Sequence, residues 1–157
     1  MTEGVHIATP GALSRWGVID VGLKCMHSCE FCYYSWLGNE PGQFAGMRKA
    51  PFAPREHLLD MTRGLKANGF IGFDVTGGEP CLHPDIVALV AEASRLGLAS
   101  RVITLGQYLM RPMKSVPEHK TLLGGLLSAG LTDLLLSVHA VDEDSFREIT
   151  GESWAKL

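Results

Sequence analysis

The sequence has no long apolar run and no basic stripe, and these absences exclude several classes of protein. A membrane-spanning helix needs about 20 consecutive apolar residues, whereas the longest apolar stretch, 122–136, is interrupted by three glycines and an aspartate. The formal net charge is -3 and Lys and Arg are dispersed, so direct nucleic-acid binding is not indicated. The first eleven residues lack the basic start and apolar core of a secretory signal. We therefore expect a soluble, cytoplasmic protein with no membrane contact.

Cysteine is scarce, with four residues in 157, but three of the four lie between positions 25 and 32. In a reducing compartment such clustering favours metal binding over disulfide formation. A hydrophobic content of 46% supports one domain with a packed core.

Helical and strand-like patterns alternate along the chain. Apolar residues recur at three- and four-residue spacings before Gly69, Gly97 and Gly130, where a glycine suits the left-handed residue that ends a helix. A fourth helix is predicted to begin near Asp142. Short runs rich in β-branched and aromatic residues precede or follow these helices, which predicts parallel strands with right-handed helical crossovers. The predicted strands are 16–23, 70–76, 99–105 and 133–139, and the apolar run 134–138 predicts a fourth strand buried on both faces.

Four such units form an incomplete barrel. A closed (β/α)8 barrel needs about 250 residues, so we predict an α/β fold that is a partial TIM-like barrel, truncated after the fourth strand. Its sheet would have at least one open edge, to be completed by a partner chain or by a second copy in a homo-oligomer. The predicted organisation is an N-terminal segment, 1–15, followed by the partial core domain, 16–157.

The three clustered cysteines form the pattern Cys25-x3-Cys29-x2-Cys32. Thiolates select zinc or iron–sulfur clusters over hard cations. Three thiolates on a 4Fe–4S cluster would leave one iron open to a chelating ligand. Two other residues are candidate fourth ligands. His27 would complete a Cys3His zinc site but is better interpreted as a solvated loop histidine, and Cys81 would supply a thiolate but is better interpreted as a small buried residue.

This pattern, with the aromatic Phe31 before the last cysteine, resembles the signature of the radical S-adenosylmethionine (radical SAM) superfamily. The resemblance implies that Cys25, Cys29 and Cys32 hold a 4Fe–4S cluster whose open iron is chelated by S-adenosylmethionine. It further implies a radical SAM enzyme that reductively cleaves this cofactor to a 5′-deoxyadenosyl radical, which abstracts hydrogen from an unknown substrate. The electron would come from an external donor of the flavodoxin or ferredoxin type, and Phe31 would contact the adenine through its backbone.

A second motif, Gly77-Gly78-Glu79-Pro80, closes the second predicted strand. The two glycines would let a ligand approach the backbone closely, and Glu79 would accept a hydrogen bond from an ammonium group. Taken alone, the same residues would be an ordinary strand-to-helix turn. The motif resembles the GGEP motif of the radical SAM superfamily, which implies that Gly77, Gly78 and Glu79 bind the amino group of S-adenosylmethionine.

Polar residues at the ends of the third and fourth predicted strands are weaker candidates. Ser137 and His139 share one strand face, and in similar proteins such residues meet the ribose or the methionyl carboxylate; of the two, Ser137 is the predicted cofactor ligand. The alternative is that these residues only cap the next helix. Thr104 is a doubtful ligand, because Leu105 stands where many relatives carry asparagine.

Two other functions compete with an active radical SAM enzyme. One is a non-catalytic iron–sulfur-binding fragment, in which a half-enclosed radical would be quenched. The other is a structural zinc module. An aromatic group formed by Tyr33, Tyr34 and Trp36 would either line the cluster cavity or simply pack against the core.

Overall fold

The computed structural model describes residues 15–34, 46–113 and 121–153 of the chain. Within these ranges, four strands alternate with helices. The strands are β1 (Trp16–Asp20), β2 (Gly72–Thr76), β3 (Ala99–Thr104) and β4 (Asp133–Leu136). The α-helices are α1 (Arg55–Ala67), α2 (Ile86–Arg95), α3 (Leu122–Ser128) and α4 (Glu143–Thr150), and two short 3-10 turns are η1 (Met47–Lys49) and η2 (Pro80–Leu82).

The four strands form one parallel sheet in the order β1-β2-β3-β4. Asp20 pairs with Thr76, Val75 with Val102, and Thr104 with Leu136. Since all the strands run in one direction, their carboxyl ends meet at one edge of the sheet. The predicted α/β fold with a partial, TIM-like sheet is confirmed. The strands are shorter than predicted, because positions 21–23, 105 and 137–139 belong to the loops at that edge and positions 70–71 precede β2.

The hydrophobic core lies between one face of the sheet and the helices. Side chains alternate between faces along a strand, and on the helix-facing side Phe73, Val75 and Val102 are completely buried. Helices α1, α2 and α3 cover them with an apolar stripe each, through residues that include Leu58, Leu89, Val90, Leu122 and Leu126. This core holds the strand ends at fixed spacings.

The opposite face of the sheet carries charge as well as apolar groups. Arg101 and Asp74, which pair across β2 and β3, form an ion pair with a 2.8 Å N–O distance. Trp16 Nε1 donates a 2.7 Å hydrogen bond to the same carboxylate. Burial alone would raise the pKa of Asp74, but the hydrogen bonds from Arg101 and Trp16 outweigh it and lower that pKa.

Strand β4 differs from the prediction that it is buried on both faces. Leu135 is 47% exposed and Leu136 is 50% exposed, whereas only Leu134 packs against the core. The physical reason for this exposure is the position of β4 in the sheet. β4 is the last strand of the sheet that the structure describes, so one edge and much of its surface have no neighbouring strand.

The predicted helix ends are confirmed. Gly69, Gly97 and Gly130 have φ values of 78°, 66° and 92°, the left-handed conformation that ends α1, α2 and α3. At the start of α4, the Asp142 side chain accepts a 2.9 Å hydrogen bond from the Ser145 amide, as an N-cap does. No helix among the described residues is long and apolar enough to cross a membrane.

Candidate metal and cofactor site

The cysteine loop, residues 21–34, begins where β1 ends and lies along the carboxyl edge of the sheet. Cys29 is buried, and Cys25 and Cys32 are half-buried. The loop is shaped by local hydrogen bonds. The Cys32 amide donates to the Cys29 carbonyl at 3.0 Å, and the His27 amide donates to the Cys25 sulfur at 3.4 Å. An amide directed at a sulfur is an arrangement suited to a ligating thiolate.

The same loop reaches the helix that follows the fourth strand. The Ser28 amide donates to the Thr150 carbonyl at 3.1 Å, and the Glu30 amide donates to the Ile149 carbonyl at 3.0 Å. The last carbonyls of a helix have no partner within it, so α4 can accept these two bonds. The loop after β1 is therefore tied to the far side of the sheet.

Gly77 and Gly78 allow the second motif to pack directly on the cysteine loop. A Cβ atom at Gly77 would lie 2.3 Å from the Gly22 carbonyl oxygen, and one at Gly78 would lie 2.3 Å from that of Lys24. Gly77 also has a φ of 139°. The amides of Gly78 and Glu79 donate to these two carbonyls at 2.9 and 2.8 Å. The glycines are thus required for the approach of the cysteine loop. They also line the pocket, and the approach of a ligand to them stays a prediction.

The Glu79 carboxylate is buried and already holds three protein donors. Its oxygens accept hydrogen bonds from the Cys81 amide at 2.8 Å, the Thr104 hydroxyl at 2.6 Å and the Leu105 amide at 2.8 Å. A carboxylate can accept about four hydrogen bonds, so one position remains for an external donor such as an ammonium group. Thr104, doubtful from sequence as a ligand, instead orients Glu79.

A single pocket at the carboxyl edge brings together all eight residues predicted to bind metal or cofactor. Its volume is about 160 Å³, and an adjoining cavity of about 190 Å³ shares Leu105, Ser137 and His139 with it. The predicted residues that line the pocket are Cys25, Cys29, Phe31, Cys32, Gly77, Gly78, Glu79 and Ser137. Phe31 is 64% exposed, and its ring meets that of His139 edge-on at 5.0 Å between centroids.

Two thiols of the loop, those of Cys25 and Cys29, are in an environment that disfavours their negative charge. Burial, and after it the neighbouring Cys25 and Cys32, raises the pKa of Cys29 to about 11. Burial also raises the pKa of Cys25, against the opposing effects of the His27 amide and, after it, the Arg48 charge. Thiolates at these positions would therefore be stabilised by a positively charged group bound between them.

These residues fit a 4Fe–4S cluster with an open iron. The donor set is three thiols with adjacent amides, in a pocket that also contains a carboxylate with one accepting position left. Among the described residues, no three His, Cys, Asp or Glu side chains converge closely enough to hold a single metal ion. A 4Fe–4S cluster does not require such convergence, since each thiolate binds a different iron.

His27 is buried, which corrects the interpretation of a solvated loop histidine. It is only 2% exposed, because α4 covers it: the rings of His27 and Phe146 meet edge-on at 5.4 Å. Its Nε2 lies 2.9 Å from Nε2 of Gln107, which comes from the loop after β3. Burial lowers the pKa of His27. His27 thus packs between the cysteine loop and α4, and it also lines the adjoining cavity.

The remaining candidates from the sequence are Cys81 and the aromatic group of Tyr33, Tyr34 and Trp36. Cys81 is completely buried, is not among the pocket-lining residues, and has its pKa raised to about 12 by burial. Tyr33 is exposed, and the Tyr34 hydroxyl donates to Asp20 at 3.3 Å. Trp36 lies outside the described residues.

Sequence reasoning missed two residues that shape the site and did not foresee the supporting role of a third. Arg48 donates hydrogen bonds to the cysteine loop, Gln107 contacts His27, and Thr104 holds Glu79. Arg48 and Gln107 lie in segments without periodicity, so no pattern marked them. The position of Thr104 at a strand end was a usable signal, but it indicated a ligand rather than a supporting contact.

Comparison with known proteins identifies a family. The family model described as "Radical SAM superfamily" matches residues 19–156. Curated relatives include a probable GTP 3',8-cyclase from Saccharolobus solfataricus, 29% identical over 84% of this chain, and a GTP 3',8-cyclase from Microcystis aeruginosa, 28% identical over 82%. The chain spans 38% and 35% of the lengths of these two relatives.

Solved structures show the same fold. The crystal structure of Streptococcus suis SuiB bound to S-adenosylmethionine matches 91% of this chain, with a TM-score of 0.62 and 18% identity. The match covers 28% of the SuiB chain. A second crystal structure, described only as Streptococcus suis SuiB, matches 88% of this chain with a TM-score of 0.60. At this level of identity the likeness concerns the fold alone.

Proposed function

The chain belongs to the radical SAM superfamily, whose cofactors are a 4Fe–4S cluster and S-adenosylmethionine, and from this premise we propose that it initiates radical chemistry at the pocket described above. Cys25, Cys29 and Cys32 hold the cluster. Gly77, Gly78 and Glu79 hold the methionyl end of the cofactor. Bound together, the two cofactors supply the one-electron reductive cleavage of a sulfonium, which yields methionine and a 5′-deoxyadenosyl radical.

The single observation that supports this proposal most strongly is the shared pocket. Residues 25–32 and 77–79 are far apart in sequence, yet the cysteines and the glycine–glutamate motif line one cavity. The motif is also bonded backbone to backbone to Gly22 and Lys24, which lie just before the first cysteine. The Glu79 carboxylate, held by three protein donors, is oriented before any ligand arrives. Such preorganisation spares the bound ligand the cost of orienting its partner.

Residues of the loop that follows β4 complete the proposed cofactor site. Ser137 is fixed in place because its amide donates to the Thr104 carbonyl at 2.9 Å, and it lines the pocket beside His139. We propose that the Ser137 hydroxyl contacts the ribose or the carboxylate of S-adenosylmethionine. Phe31 supplies backbone groups next to the adenine.

A second candidate function, a non-catalytic iron–sulfur protein, is favoured by the openness of one side of the pocket. Phe31 is 64% exposed and Val138 is 75% exposed. Radical intermediates require exclusion of water and side reactants. A chain that binds the cluster but leaves its radical unshielded would hold iron and sulfide without productive turnover.

Two partners follow from the proposed function. An external one-electron donor of the flavodoxin or ferredoxin type would reduce the cluster. The exposed surface of β4 would be covered by a further strand from a partner chain or a second copy, since open strand edges pair readily. Sedimentation of the purified chain as a monomer over a wide concentration range would count against a second copy.

The decisive experiment is anaerobic reconstitution with iron and sulfide, followed by reduction with dithionite in the presence of S-adenosylmethionine. We expect a brown protein that forms 5′-deoxyadenosine above the level of a Cys29→Ala control. Cluster formation without 5′-deoxyadenosine would support the non-catalytic alternative. A colourless protein with one zinc and no sulfide would contradict both.

A further inference from the structure

We propose that Arg48 is a positioning residue for the iron–sulfur cluster: its guanidinium holds the cysteine loop in the ligating conformation, and its charge favours the reduced cluster. This inference rests on the proposed function, because it assigns a role toward the cluster of that same pocket. Arg48 belongs to η1, which follows the cysteine loop in sequence by more than a dozen residues, and no motif includes it.

The guanidinium contacts the cysteine loop at three positions, 25, 27 and 28. Arg48 Nη2 donates to the carbonyl of Cys25 at 3.4 Å and also to the carbonyl of His27. Arg48 Nη1 lies 3.5 Å from the Ser28 hydroxyl oxygen. A planar guanidinium offers five donors in a rigid fork, so one side chain can fix the path of the backbone between the first two ligating cysteines.

The backbone that follows η1 also contacts the start of the cysteine loop. Gly46, with a φ of 75°, precedes η1, and the Ala53 amide donates to the Val21 carbonyl at 3.1 Å. Phe52 packs on Gly22, where a Cβ would lie 3.0 Å from its ring. Residues 52–53 therefore hold the end of this segment against the start of the cysteine loop, which explains how Arg48, a few residues earlier, reaches it.

Arg48 and α4 hold opposite groups of the same loop. Arg48 binds carbonyl oxygens at positions 25 and 27, whereas the carbonyls of α4 bind the amides of Ser28 and Glu30. A loop held through both its donors and its acceptors loses fewer conformations when it binds a ligand. Loss of Arg48 should therefore loosen the bonds to α4 as well.

The charge of Arg48 has a separate electrostatic effect. Three thiolates carry three negative charges, and reduction of the cluster adds one more electron. A cation at hydrogen-bond distance from the ligand loop, in a half-buried position, stabilises the more negative state. Arg48 should therefore make the cluster easier to reduce.

The test compares two substitutions. Arg48→Met removes both the guanidinium hydrogen-bond donors and the positive charge, whereas Arg48→Lys keeps only the charge. After anaerobic reconstitution, iron and sulfide are quantified and the reduced fraction is followed in a redox titration by its paramagnetic signal. For Arg48→Met we expect the ratio of reduced to oxidised cluster at a given potential to fall roughly tenfold, which corresponds to about 59 mV for a one-electron couple. Arg48→Lys should restore most of this loss.

Lys49→Met is the matched control. Lys49 is the next residue of η1, carries the same charge and is exposed, so solvent should screen its effect on the cluster. We expect its redox titration to match that of the unaltered chain. An Arg48→Met titration that matches the unaltered chain, or an equal shift in Lys49→Met, would overturn the electrostatic part of the inference.

The positioning role has its own readout in the chain without a cluster. Amide hydrogen exchange at Ser28 and Glu30 should be at least several-fold faster in Arg48→Met and in Arg48→Lys than in the unaltered chain or in Lys49→Met. If the Arg48→Met variant takes up no cluster, these exchange rates still test the positioning role. Unchanged hydrogen exchange at Ser28 and Glu30 would overturn it. Failure of the unaltered chain to take up a cluster would instead overturn the proposed function and this inference with it.

Discussion

The two ends of the pocket are built differently. At the β1–β2 end, residues 22–32 and 76–79 are joined backbone to backbone, with glycines where any side chain would collide. At the β3–β4 end, residues 137–141 are open, and Val138 and Val141 are among the most exposed apolar side chains of the described chain. The end proposed to hold the cluster is thus rigid by construction, whereas the end proposed to meet the rest of the cofactor and the substrate has room to accept them.

The largest expected effect comes from breaking the rigid end. Gly78→Ala places a methyl group 2.3 Å from the Lys24 carbonyl oxygen, a backbone atom that cannot move alone. We expect a loss of about 3 kcal/mol in the free energy of unfolding, at the upper end for overpacking, together with loss of cluster uptake. Chemical denaturation and iron content measure the two effects.

Gly64→Ala is the control for that substitution. Gly64 lies within α1, and a Cβ there would meet no atom within 4 Å. Alanine is the better helix former, so we expect a gain of about 0.5–1 kcal/mol. Equal stability of the Gly78 and Gly64 variants would contradict the close-packed description of the rigid end.

A second variant would detach the loop from α4. Phe146→Ala removes the buried ring that packs on His27 and anchors α4 to the cysteine loop. Local opening should then expose the amides of Ser28 and Glu30, and we expect their hydrogen exchange to accelerate roughly tenfold or more, about 1.4 kcal/mol. Amides of β2 and β3 in the same sample should be unaffected; uniform acceleration would indicate global destabilisation instead.

A third variant tests the link between the two ends. Thr104→Val keeps the shape of a buried side chain but removes its 2.6 Å hydrogen bond to Glu79. We expect a loss of about 1.5–3 kcal/mol, the usual range for a hydrogen bond to a charged group, and weaker binding of S-adenosylmethionine. Thr62→Val is the matched control, because Thr62 is equally buried but donates to the Leu58 carbonyl within α1. A smaller effect of Thr104→Val than of Thr62→Val would count against the role assigned to Thr104.

The smallest effect on stability is expected at the open end. Ser137→Ala should change the free energy of unfolding by less than about 0.5 kcal/mol and leave iron content unchanged. It should weaken binding of S-adenosylmethionine several-fold, measured by calorimetry on the anaerobically reconstituted chain. Unchanged affinity would remove Ser137 from the proposed cofactor site.

Much of the fold was predictable because it depends on local patterns. Left-handed glycines at positions 69, 97 and 130 end the helices where sequence periodicity placed them, and the alternation of strand and helix leads to a parallel sheet. The prediction for β4 was wrong because an apolar run does not reveal whether a neighbouring strand exists to cover it. The eight predicted site residues share a pocket because motifs at the carboxyl ends of parallel strands meet at one edge.

The supporting contacts were not predictable from sequence. His27 was interpreted as solvated because nothing in the loop sequence reveals that α4 lies over it. Arg48 and Gln107 reach the site from segments without periodicity, and only the fold shows that Gly77 and Gly78 also let the cysteine loop pack against them.

By itself, the sequence determined the family, the order of strands and helices and the thiols available for metal, because each depends on residue types at short spacings. Only the tertiary structure decided which carboxylate oxygens are already occupied, which loop carbonyls Arg48 binds and which end of the pocket is open. These depend on the approach of segments that are 20 or more residues apart, and such contacts are set by the packing of the whole sheet.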